Sequence, residues 1–278
     1  MSRNSTAQPN HKWHSNSTLQ LSKTLNLPIL RYRTTRPLIP LTPARQAISA
    51  TIPHSTPPLT IQLRRFEPGD LAAAHRLRTQ HDVMIHTSQA GPDTDLAASQ
   101  KWMDRFLPPN DVNTFDLMLW AKETTNNDAS TSTENPHDDS SEAWEHIGTL
   151  GMHTDTPIPH LGYMIRTEFW GKGIATAATC LFLRLWWDLP RRDIIVNLAD
   201  SRDGHDTHLM MLEYQQDGTE ADSGIKVVPE VLLAEVEKEN KPSHRVVEKC
   251  GFREVGWEEV EVDVGKFVLL DYILIRPQ

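Results

Sequence analysis

The sequence has little cysteine, no long apolar run, and no acidic residue in its first 66 positions. The only two cysteines, Cys180 and Cys250, show neither the pairing pattern of a disulfide framework nor the spacing of a metal site, which favours a reduced intracellular compartment. No stretch of about 18 apolar residues occurs, and the amino terminus lacks the compact apolar core of a secretory signal. These absences predict a protein that neither spans a membrane nor is secreted.

Charge is distributed unevenly along the 278 residues. Residues 1–66 hold nine Lys or Arg, whereas residues 67–278 hold 19 basic and 37 acidic residues. Because the second segment is strongly negative, its field opposes binding of a nucleic-acid backbone and favours cationic partners such as protonated amines. We therefore expect no nucleic-acid partner.

Residues 1–58 are rich in Ser, Thr, Pro, Asn and Gln, and this composition predicts a mostly disordered tail. The lack of acids, together with Arg31, Arg33, Arg36 and Arg45, is also typical of an organellar transit segment. Four prolines between positions 28 and 43 would break the long amphipathic helix of such a segment. A cytoplasmic protein is therefore predicted, with a mitochondrial location as the alternative.

Folding signals begin at Leu59 and predict one α/β domain over residues 59–278. Apolar alternation or apolar runs predict strands over residues 59–63, 115–122, 146–153, 160–166, 231–236, 254–263 and 266–275. Helices are predicted over residues 71–78, with Asp70 as the cap, and over 96–107, 174–187 and 240–250. Residues 124–142 are predicted to be a polar loop. Residues 188–229 are interpreted as an insertion, with strands at 193–198 and 209–214 and a loop at 217–224.

A strand, a glycine turn and a helix form the unit best suited to chemistry. The strand over residues 160–166 runs into Trp170-Gly171-Lys172-Gly173 and then into the apolar helix over residues 174–187. Such a turn leaves several backbone N–H groups at the positive end of a helix dipole, which suits a pyrophosphate. The turn alone is equally typical of an ordinary helix entry. It lacks the Lys-Ser/Thr pair of a P-loop, which argues against a nucleotide hydrolase.

A second motif lies downstream, at Asn240-Lys241-Pro242-Ser243 and Glu248-Lys249-Cys250-Gly251-Phe252. With Leu161-Gly162-Tyr163-Met164-Ile165 and Phe169-Trp170-Gly171-Lys172-Gly173-Ile174-Ala175-Thr176, it resembles the GNAT superfamily of N-acetyltransferases. The resemblance is closest to the RimJ/RimL-like branch, which acetylates ribosomal-protein alanines, and it covers residues 59–278. It implies a mixed central β-sheet flanked by helices, with acetyl-CoA in the splay between two central strands.

The resemblance also implies which residues bind acetyl-CoA, the acetyl-donor co-substrate. Met164 and Ile165 would pair with the pantetheine arm through their backbones, and one of these N–H groups would polarise the thioester carbonyl. Asn240 would bind the pantetheine amide, a role compatible with a helix cap. No metal is expected. The diphosphate would be held by the backbone amides of Trp170, Gly171, Lys172, Gly173, Ile174 and Ala175.

Direct transfer needs a neutral amine and a proton donor for the departing thiolate. Val247 stands where many GNAT enzymes have a donor tyrosine, so the resemblance makes Ser243 the candidate donor, with an ordinary helix-start serine as the alternative. His160 is the candidate base because histidine titrates near neutral pH. His153, Glu168 and a water relay remain alternatives to His160.

The sequence therefore predicts an N-acetyltransferase that moves an acetyl group to a primary amine in a ternary complex. The acceptor is a protein N-terminus or a small-molecule amine, and the acidic body of the chain favours a cationic one. The alternative function is a catalytically weak or inactive GNAT-fold protein that binds CoA or other partners. A homodimer is compatible with the sequence.

Overall fold

The computed structural model describes residues 10–15, 31–38, 48–55, 57–124, 144–153, 158–197, 226–262 and 265–277. The chain divides into two compact units. Unit 1 comprises Met1–Pro37, Thr154–Leu161 and Pro190–Gln278, and unit 2 comprises Leu38–His153 and Gly162–Leu189. No helix in the described ranges is both long enough and apolar enough to cross a membrane.

Unit 2 is a β-sheet with helices on both faces. Its first four strands pair antiparallel in chain order, and the end of the fifth lies beside the fourth. These strands are β3 (Ile48–Ile52), β4 (Leu59–Arg65), β5 (Thr114–Glu123), β6 (Glu145–His153) and β7 (His160–Ile165), which begins in unit 1. The helices are α1 (Leu71–Arg78), α2 (His81–Met84), α3 (Leu96–Met103) and α4 (Ile174–Asp188).

Different helices cover the two faces of this sheet, because successive side chains of β5 point in opposite directions. Phe115 faces α4, where its ring centroid lies 5.7 Å from that of Phe182 and 6.0 Å from that of Trp186. Met118 points to the other face and joins a buried cluster beneath α1 and α3. That cluster contains Phe66, Ala74, Met103, Phe106 and Met118.

Unit 1 contains a mixed sheet and a second, smaller sheet. In the mixed sheet the antiparallel order is β1, β11, β12, β10, and β10 also pairs in parallel with the start of β7 through Leu233 and His160. In the smaller sheet β2 lies between β8, which is antiparallel to it, and β9, which is parallel. The elements are β1 (Asn10–Ser15), β2 (Arg31–Pro37), β8 (Arg191–Asn197), β9 (Lys226–Val227), β10 (Val231–Glu237), α5 (Lys241–Lys249), β11 (Arg253–Val262) and β12 (Gly265–Ile275).

Three strands of the structure lie within residues 1–58, where composition predicts mostly disorder: β1 and β2 of unit 1, and β3 of unit 2. The structure differs from that prediction because β1 and β2 pair with strands far along the chain, and local composition does not report such partners. β3 instead pairs with β4, the strand that follows it. Tyr32 of β2 also contributes a buried ring to the core of unit 1, which includes Ile158, Leu233 and Ile273. The domain boundary at residue 59 stays a prediction.

The strands and helices predicted after Leu59 are confirmed wherever the chain is described, to within a few residues at their ends. Both β8 and β9 fall within the predicted insertion. The predicted strand at 209–214 and loop at 217–224 lie outside the described residues, as does nearly all of the polar loop at 124–142. The mixed sheet with flanking helices is also confirmed, and the splay between its central strands stays a prediction.

Candidate functional site

The glycine turn in unit 2 leads from β7 into the long helix α4. Gly171 and Gly173 have φ values of 74° and 75°, the left-handed conformation that glycine adopts without steric cost. Gly173 is the N-cap of α4. A Cβ placed on either glycine would meet no atom within 4 Å. The turn therefore opens onto free space at the positive end of the α4 dipole, which is a geometry suited to an anion.

Several hydrogen bonds hold the residues before this turn in place. The indole Nε1 of Trp170 donates to the carbonyl oxygen of Ile165 at 2.7 Å. The buried guanidinium of Arg166 donates to Glu145 at 2.6 Å and to Glu168 at 2.8 Å. Gln80, just after α1, accepts from the backbone N–H of Thr167 at 2.9 Å. The approach to the glycine turn is thus fixed by partners on α1, β6 and the turn itself.

Positive charge lies next to the turn. The ammonium of Lys172 sits 5.1 Å from the ring centroid of Phe169, and the guanidinium of Arg166 sits 5.4 Å from the same centroid. Contacts of this kind between a cation and an aromatic face restrain the side chain without removing its charge. Lys172 is therefore held near the start of α4, where it adds to the attraction for an anion.

The backbone of β7 presents Met164 and Ile165 to opposite sides. Arg166 donates its N–H to Ile147 of β6 at 2.8 Å, and the carbonyl of Met164 lies against Gly148 of β6. The N–H and C=O groups of successive residues point to alternate sides of a strand. The backbone groups of Ile165 and Tyr163 therefore point away from β6. Ile165 can thus pair with an added strand-like ligand, whereas the groups of Met164 face the sheet. Sequence reasoning did not identify Tyr163.

Asn240 in unit 1 caps helix α5. Its Oδ1 accepts from the backbone N–H of Ser243 at 3.2 Å, as the sequence predicts. This bond uses the oxygen of the Asn240 amide and leaves its NH₂ group to donate elsewhere. Val247, at the position of the family tyrosine, is only 1% exposed and packs in the interior. Of these residues, Ser243 is the one that carries a hydroxyl.

A buried histidine and tyrosine support the loop that carries Asn240. The Nδ1 of His244 lies 2.9 Å from the hydroxyl of Tyr272, and its Nε2 lies 3.2 Å from the carbonyl of Lys238. A carbonyl only accepts, so Nε2 carries a proton. The single hydroxyl proton of Tyr272 lies within reach of both Nδ1 of His244 and, at 3.5 Å, Oε2 of Glu254. Burial, together with the negative charge of Glu254, raises the pKa of Tyr272 to about 12. Tyr272 is thus a structural donor and a weak acid at neutral pH.

His160, the predicted base, has a carboxylate partner in unit 1. Its Nδ1 lies 3.5 Å from Oε2 of Glu235 on β10. Glu235 also belongs to a group of three carboxylates, with Glu258 and Asp271, whose oxygens lie within 4.8 Å of one another. Sequence reasoning missed this grouping, because the three residues meet only through the pairing of β10, β11 and β12. His160 therefore lies beside a group of three closely spaced carboxyl groups.

The two alternative bases of unit 2 have contrasting environments. The hydrogen bond from Gln80, supported by Arg166, lowers the pKa of Glu168 to about 2, so this carboxylate accepts a proton poorly at neutral pH. His153, the last residue of β6, is instead half-exposed and lies 4.0 Å from the buried carboxylate of Asp116. Of these two, Glu168 is therefore the poorer candidate base.

The structure thus gathers Met164, Ile165 and residues 170–175 at one end of unit 2, while His160, Asn240 and Ser243 belong to unit 1. Residues that sequence reasoning missed include Gln80 and Gly148, which support the turn, and Glu235, which accompanies His160. No motif in the neighbouring sequence indicates the roles of these residues, because each one acts through a partner that is distant in sequence.

Comparisons with known proteins agree with this description. The family model described as "Acetyltransferase (GNAT) domain" matches residues 60–253. RimJ from Mycobacterium smegmatis, solved with a CoA-disulfide, is similar in fold, with a TM-score of 0.52 and 18% identity over 84% of this chain and 89% of its own. The ribosomal-protein-S5-alanine acetyltransferase from Vibrio fischeri has 16% identity over 83% of this chain and 100% of its own, with a TM-score of 0.46. No curated protein matches the chain.

The family match spans more than half of the chain, and the fold agrees with it. It includes β7, the glycine turn, α4, Asn240 and α5. The chain therefore belongs to the GNAT acetyltransferase family.

Proposed function

We propose that this protein is an acetyl-CoA-dependent N-acetyltransferase that transfers the acetyl group directly to a primary amine. The observation that carries the proposal is the turn at Gly171 and Gly173, which is left-handed at both glycines, open in front of both, and placed at the start of α4. A diphosphate fits this arrangement because backbone N–H groups and the helix dipole both favour negative charge there.

The binding residues divide by the part of acetyl-CoA that they contact. The amides of residues 170–175 hold the diphosphate, with Lys172 adding charge. Ile165, joined by Tyr163, pairs with the pantetheine arm on the side of β7 that faces away from β6, and Met164 supports the strand from the other side. Asn240 donates its NH₂ group to a pantetheine carbonyl while its oxygen caps α5.

The transfer itself needs two proton movements. A base takes a proton from the acceptor ammonium, and a donor protonates the sulfur as the C–S bond breaks. Ser243 is the proposed donor, because its hydroxyl stands at the start of α5 and Val247 has no proton to give. His160 is the base that the sequence indicates, and its Nδ1 lies 3.5 Å from Oε2 of Glu235.

The acceptor is proposed to be cationic, either a protein N-terminus or a small-molecule amine. Glu235, Glu258 and Asp271 place three carboxylates together in the unit that carries His160. The strongly acidic composition of residues 67–278 acts in the same direction at longer range. Such a field raises the local concentration of protonated amines, which are the resting form of the acceptor.

A second candidate function is a GNAT-fold protein that binds CoA with little or no turnover. The buried Val247 favours it, since the position that carries the proton donor in many relatives is apolar here. Both candidates require acetyl-CoA binding, so turnover is what separates them.

Calorimetric titration of the full-length protein with acetyl-CoA and with CoA tests the shared step. The Lys172→Glu variant reverses charge beside the proposed diphosphate site without imposing a left-handed backbone on a side chain. We expect its Kd for acetyl-CoA to rise about tenfold or more, in line with ~1–2 kcal/mol for a charge near a helix N-terminus. Lys101→Glu on α3, which exposes its side chain, is the matched control and should bind as the wild type does.

Thiol release with three amine probes then separates the two functions. The probes are an alanyl peptide, spermidine and an amino sugar. Release of CoA that depends on one of them supports the transferase, and binding without release supports the CoA-binding alternative. If the folded wild-type protein binds neither acetyl-CoA nor CoA, both functions are excluded.

A further inference from the structure

The Asp116 and His153 pair lies on the face of the unit 2 sheet that carries α1 and α3. Asp116 is on β5, with its side chain 10% exposed, and His153 ends β6, with its side chain 41% exposed. His153 Nδ1 lies 4.0 Å from Asp116 Oδ2. That oxygen has no hydrogen-bond partner among the described residues. A buried carboxylate thus stands directly behind an imidazole that reaches solvent.

The backbone of β6 is shaped to admit this carboxylate. Gly151 lies opposite Asp116 in the β5–β6 pairing, and a Cβ on Gly151 would overlap the Asp116 carboxyl group. The ring of Phe106 lies near the pair, with its centroid 6.4 Å from that of His153. Only a residue without a side chain at position 151 leaves room for the carboxylate.

We propose that His153 is the general base of the acetyl transfer and that Asp116 is its positioning residue. The proposal rests on the proposed function. The base is then His153 and not His160, the residue that the sequence indicates first. Asp116 is an additional residue, which no sequence motif indicates.

The position of His153 along the sheet suits this role. Ile147 of β6 lies opposite Arg166, at the end of β7 next to the glycine turn. His153 lies further along β6 than Ile147 by roughly 20 Å at 3.3 Å per residue. An extended pantetheine arm that starts at the glycine turn and follows β7 covers a comparable length. Its thioester end therefore comes towards the level of His153.

The face of the sheet suits it as well. Phe115 packs against Phe182 and Trp186, so α4 covers one face of β5. Asp116 points to the opposite face. An acceptor amine that approaches from the face of α1 and α3 meets His153 without passing α4.

In the acetyl transfer, His153 accepts a proton from the acceptor before the new C–N bond forms. The acceptor ammonium gives one proton to His153 Nε2, breaking an N–H bond and forming another. The freed lone pair attacks the thioester carbonyl, so a C–N bond forms and the C–S electron pair leaves on sulfur. The remaining extra proton on nitrogen passes to sulfur through the donor, and His153 releases its proton to water. Asp116 stabilises the imidazolium through Nδ1, a contact that shortens once the ring is charged.

The charges around the pair are consistent with this cycle. Burial raises the pKa of Asp116, and the positive charges of His153 and Arg105 lower it. A positive charge on His153 therefore favours the ionised form of Asp116.

The test measures kcat, KM and their pH dependence for thiol release by the full-length protein, using whichever of the three amine probes the wild type accepts. His153→Gln should lower kcat at pH 7 about 100-fold. Its activity should then keep rising with pH towards the pKa of the amine, because only amine that is already neutral reacts. Asp116→Asn should lower kcat less than His153→Gln does, with KM for acetyl-CoA unchanged.

His81→Gln is the matched control. His81 also pairs with an aspartate, Asp82 at 3.3 Å, but both side chains are about 70% exposed, and its kinetics should equal those of the wild type. If His153→Gln folds, as judged by circular dichroism, and retains the wild-type kcat and pH profile, the proposal is overturned while the transferase function stands. If the wild type itself releases no thiol with any probe, the proposed function fails and the base assignment fails with it.

Discussion

Trp170 closes the turn between β7 and α4 by donating its indole N–H to the carbonyl oxygen of Ile165, five residues earlier, at 2.7 Å. The side chain that makes this bond is 46% exposed, so burial contributes little to its position. A large exposed indole held by one hydrogen bond at the glycine turn serves the geometry of the backbone more than the stability of the fold.

The Trp170→Phe variant removes that hydrogen bond and keeps most of the ring. Because a hydrogen bond of this kind contributes about 0.5–1.5 kcal/mol, we expect the Kd for acetyl-CoA to rise roughly three- to tenfold. The free energy of unfolding should change by less than about 1 kcal/mol. Calorimetry and urea titration measure the two quantities. Trp144→Phe, which alters an indole beside Lys122 on the same sheet, should leave the Kd unchanged.

Gly148 of β6 allows the end of β7 to approach closely. A Cβ at this position would overlap the carbonyl of Met164 and lie 3.1 Å from Cα of Ile165. Gly148→Ala should therefore displace β7, destabilise the protein by about 1–3 kcal/mol, and weaken acetyl-CoA binding. Gly162→Ala, in β7 itself, meets nothing within 4 Å and should bind normally. Equal affinities for the two variants would show that the approach of β6 does not position Ile165.

The Arg78 and Asp93 pair links α1 to the segment before α3. Arg78 Nε donates to Asp93 at 2.6 Å with both side chains nearly inaccessible, and Ser99 donates to the same carboxylate at 2.5 Å. Burial raises the pKa of Asp93, but these hydrogen bonds outweigh burial and lower that pKa to about 2. Asp93→Ala should cost about 3–5 kcal/mol, since it leaves a buried guanidinium without its anion.

Chemical denaturation of Asp93→Ala measures that loss. The exposed Asp82→Ala variant should change stability by no more than about 0.5 kcal/mol. The double variant Arg78→Met/Asp93→Leu should be considerably more stable than Asp93→Ala, because it removes both charges together. A double variant as unstable as the single one would show that packing around Trp102, not the charge, dominates this site.

His146 should make the protein sensitive to acid. It is 3% exposed, and burial lowers its pKa to about 4 from an ordinary value of 6.5. The unfolded chain therefore binds a proton at a higher pH than the folded chain does. The contribution of His146 to the free energy of unfolding is fully present above pH 6.5 and decreases as the pH drops. Below pH 4 the free energy of unfolding is lower by about 3 kcal/mol.

Urea unfolding at pH 7, 6 and 5 tests this prediction. The wild type should lose about 2 kcal/mol more between pH 7 and pH 5 than His146→Leu, which cannot titrate. His54→Gln, at an exposed position, should follow the wild type. Parallel pH curves for the wild type and His146→Leu would contradict the prediction.

Local signals predicted part of the site well. The two glycines in Trp170-Gly171-Lys172-Gly173 indicate a tight entry into an apolar helix, and both adopt the left-handed conformation that no other residue type favours. Asn240 before Lys241-Pro242-Ser243 indicates a cap, and its side chain accepts the expected N–H. In both cases the signal and its consequence lie within a few residues of each other.

Contacts between distant strands could not be predicted in this way. Asp70 is the N-cap residue of α1, as the sequence indicates, but its side chain makes no hydrogen bond to the first turn of that helix. Asp70 Oδ2 accepts instead from the backbone N–H of Glu67 at 2.7 Å. Arg64 on β4 binds both carboxylate oxygens of Asp70, at 2.7 and 2.8 Å, because a bidentate charged pair is stronger than a neutral cap. Asp116 and His153 likewise meet only because β5 and β6 pair in one register. Neither partner can be chosen without the sheet.

The small sheet of unit 1 also constrains when the protein can fold. Its middle strand, β2, is made early, whereas its neighbours β8 and β9 follow much later, and Thr35 contacts Glu230 at a sequence separation of 195. During synthesis β2 must therefore wait unpaired until most of the chain has left the ribosome. Its three arginines and terminal Pro37 keep that waiting segment soluble and resistant to wrong pairing. The completion of this sheet is expected to be a slow, late step in folding, because closure over so long a loop has a large entropic cost.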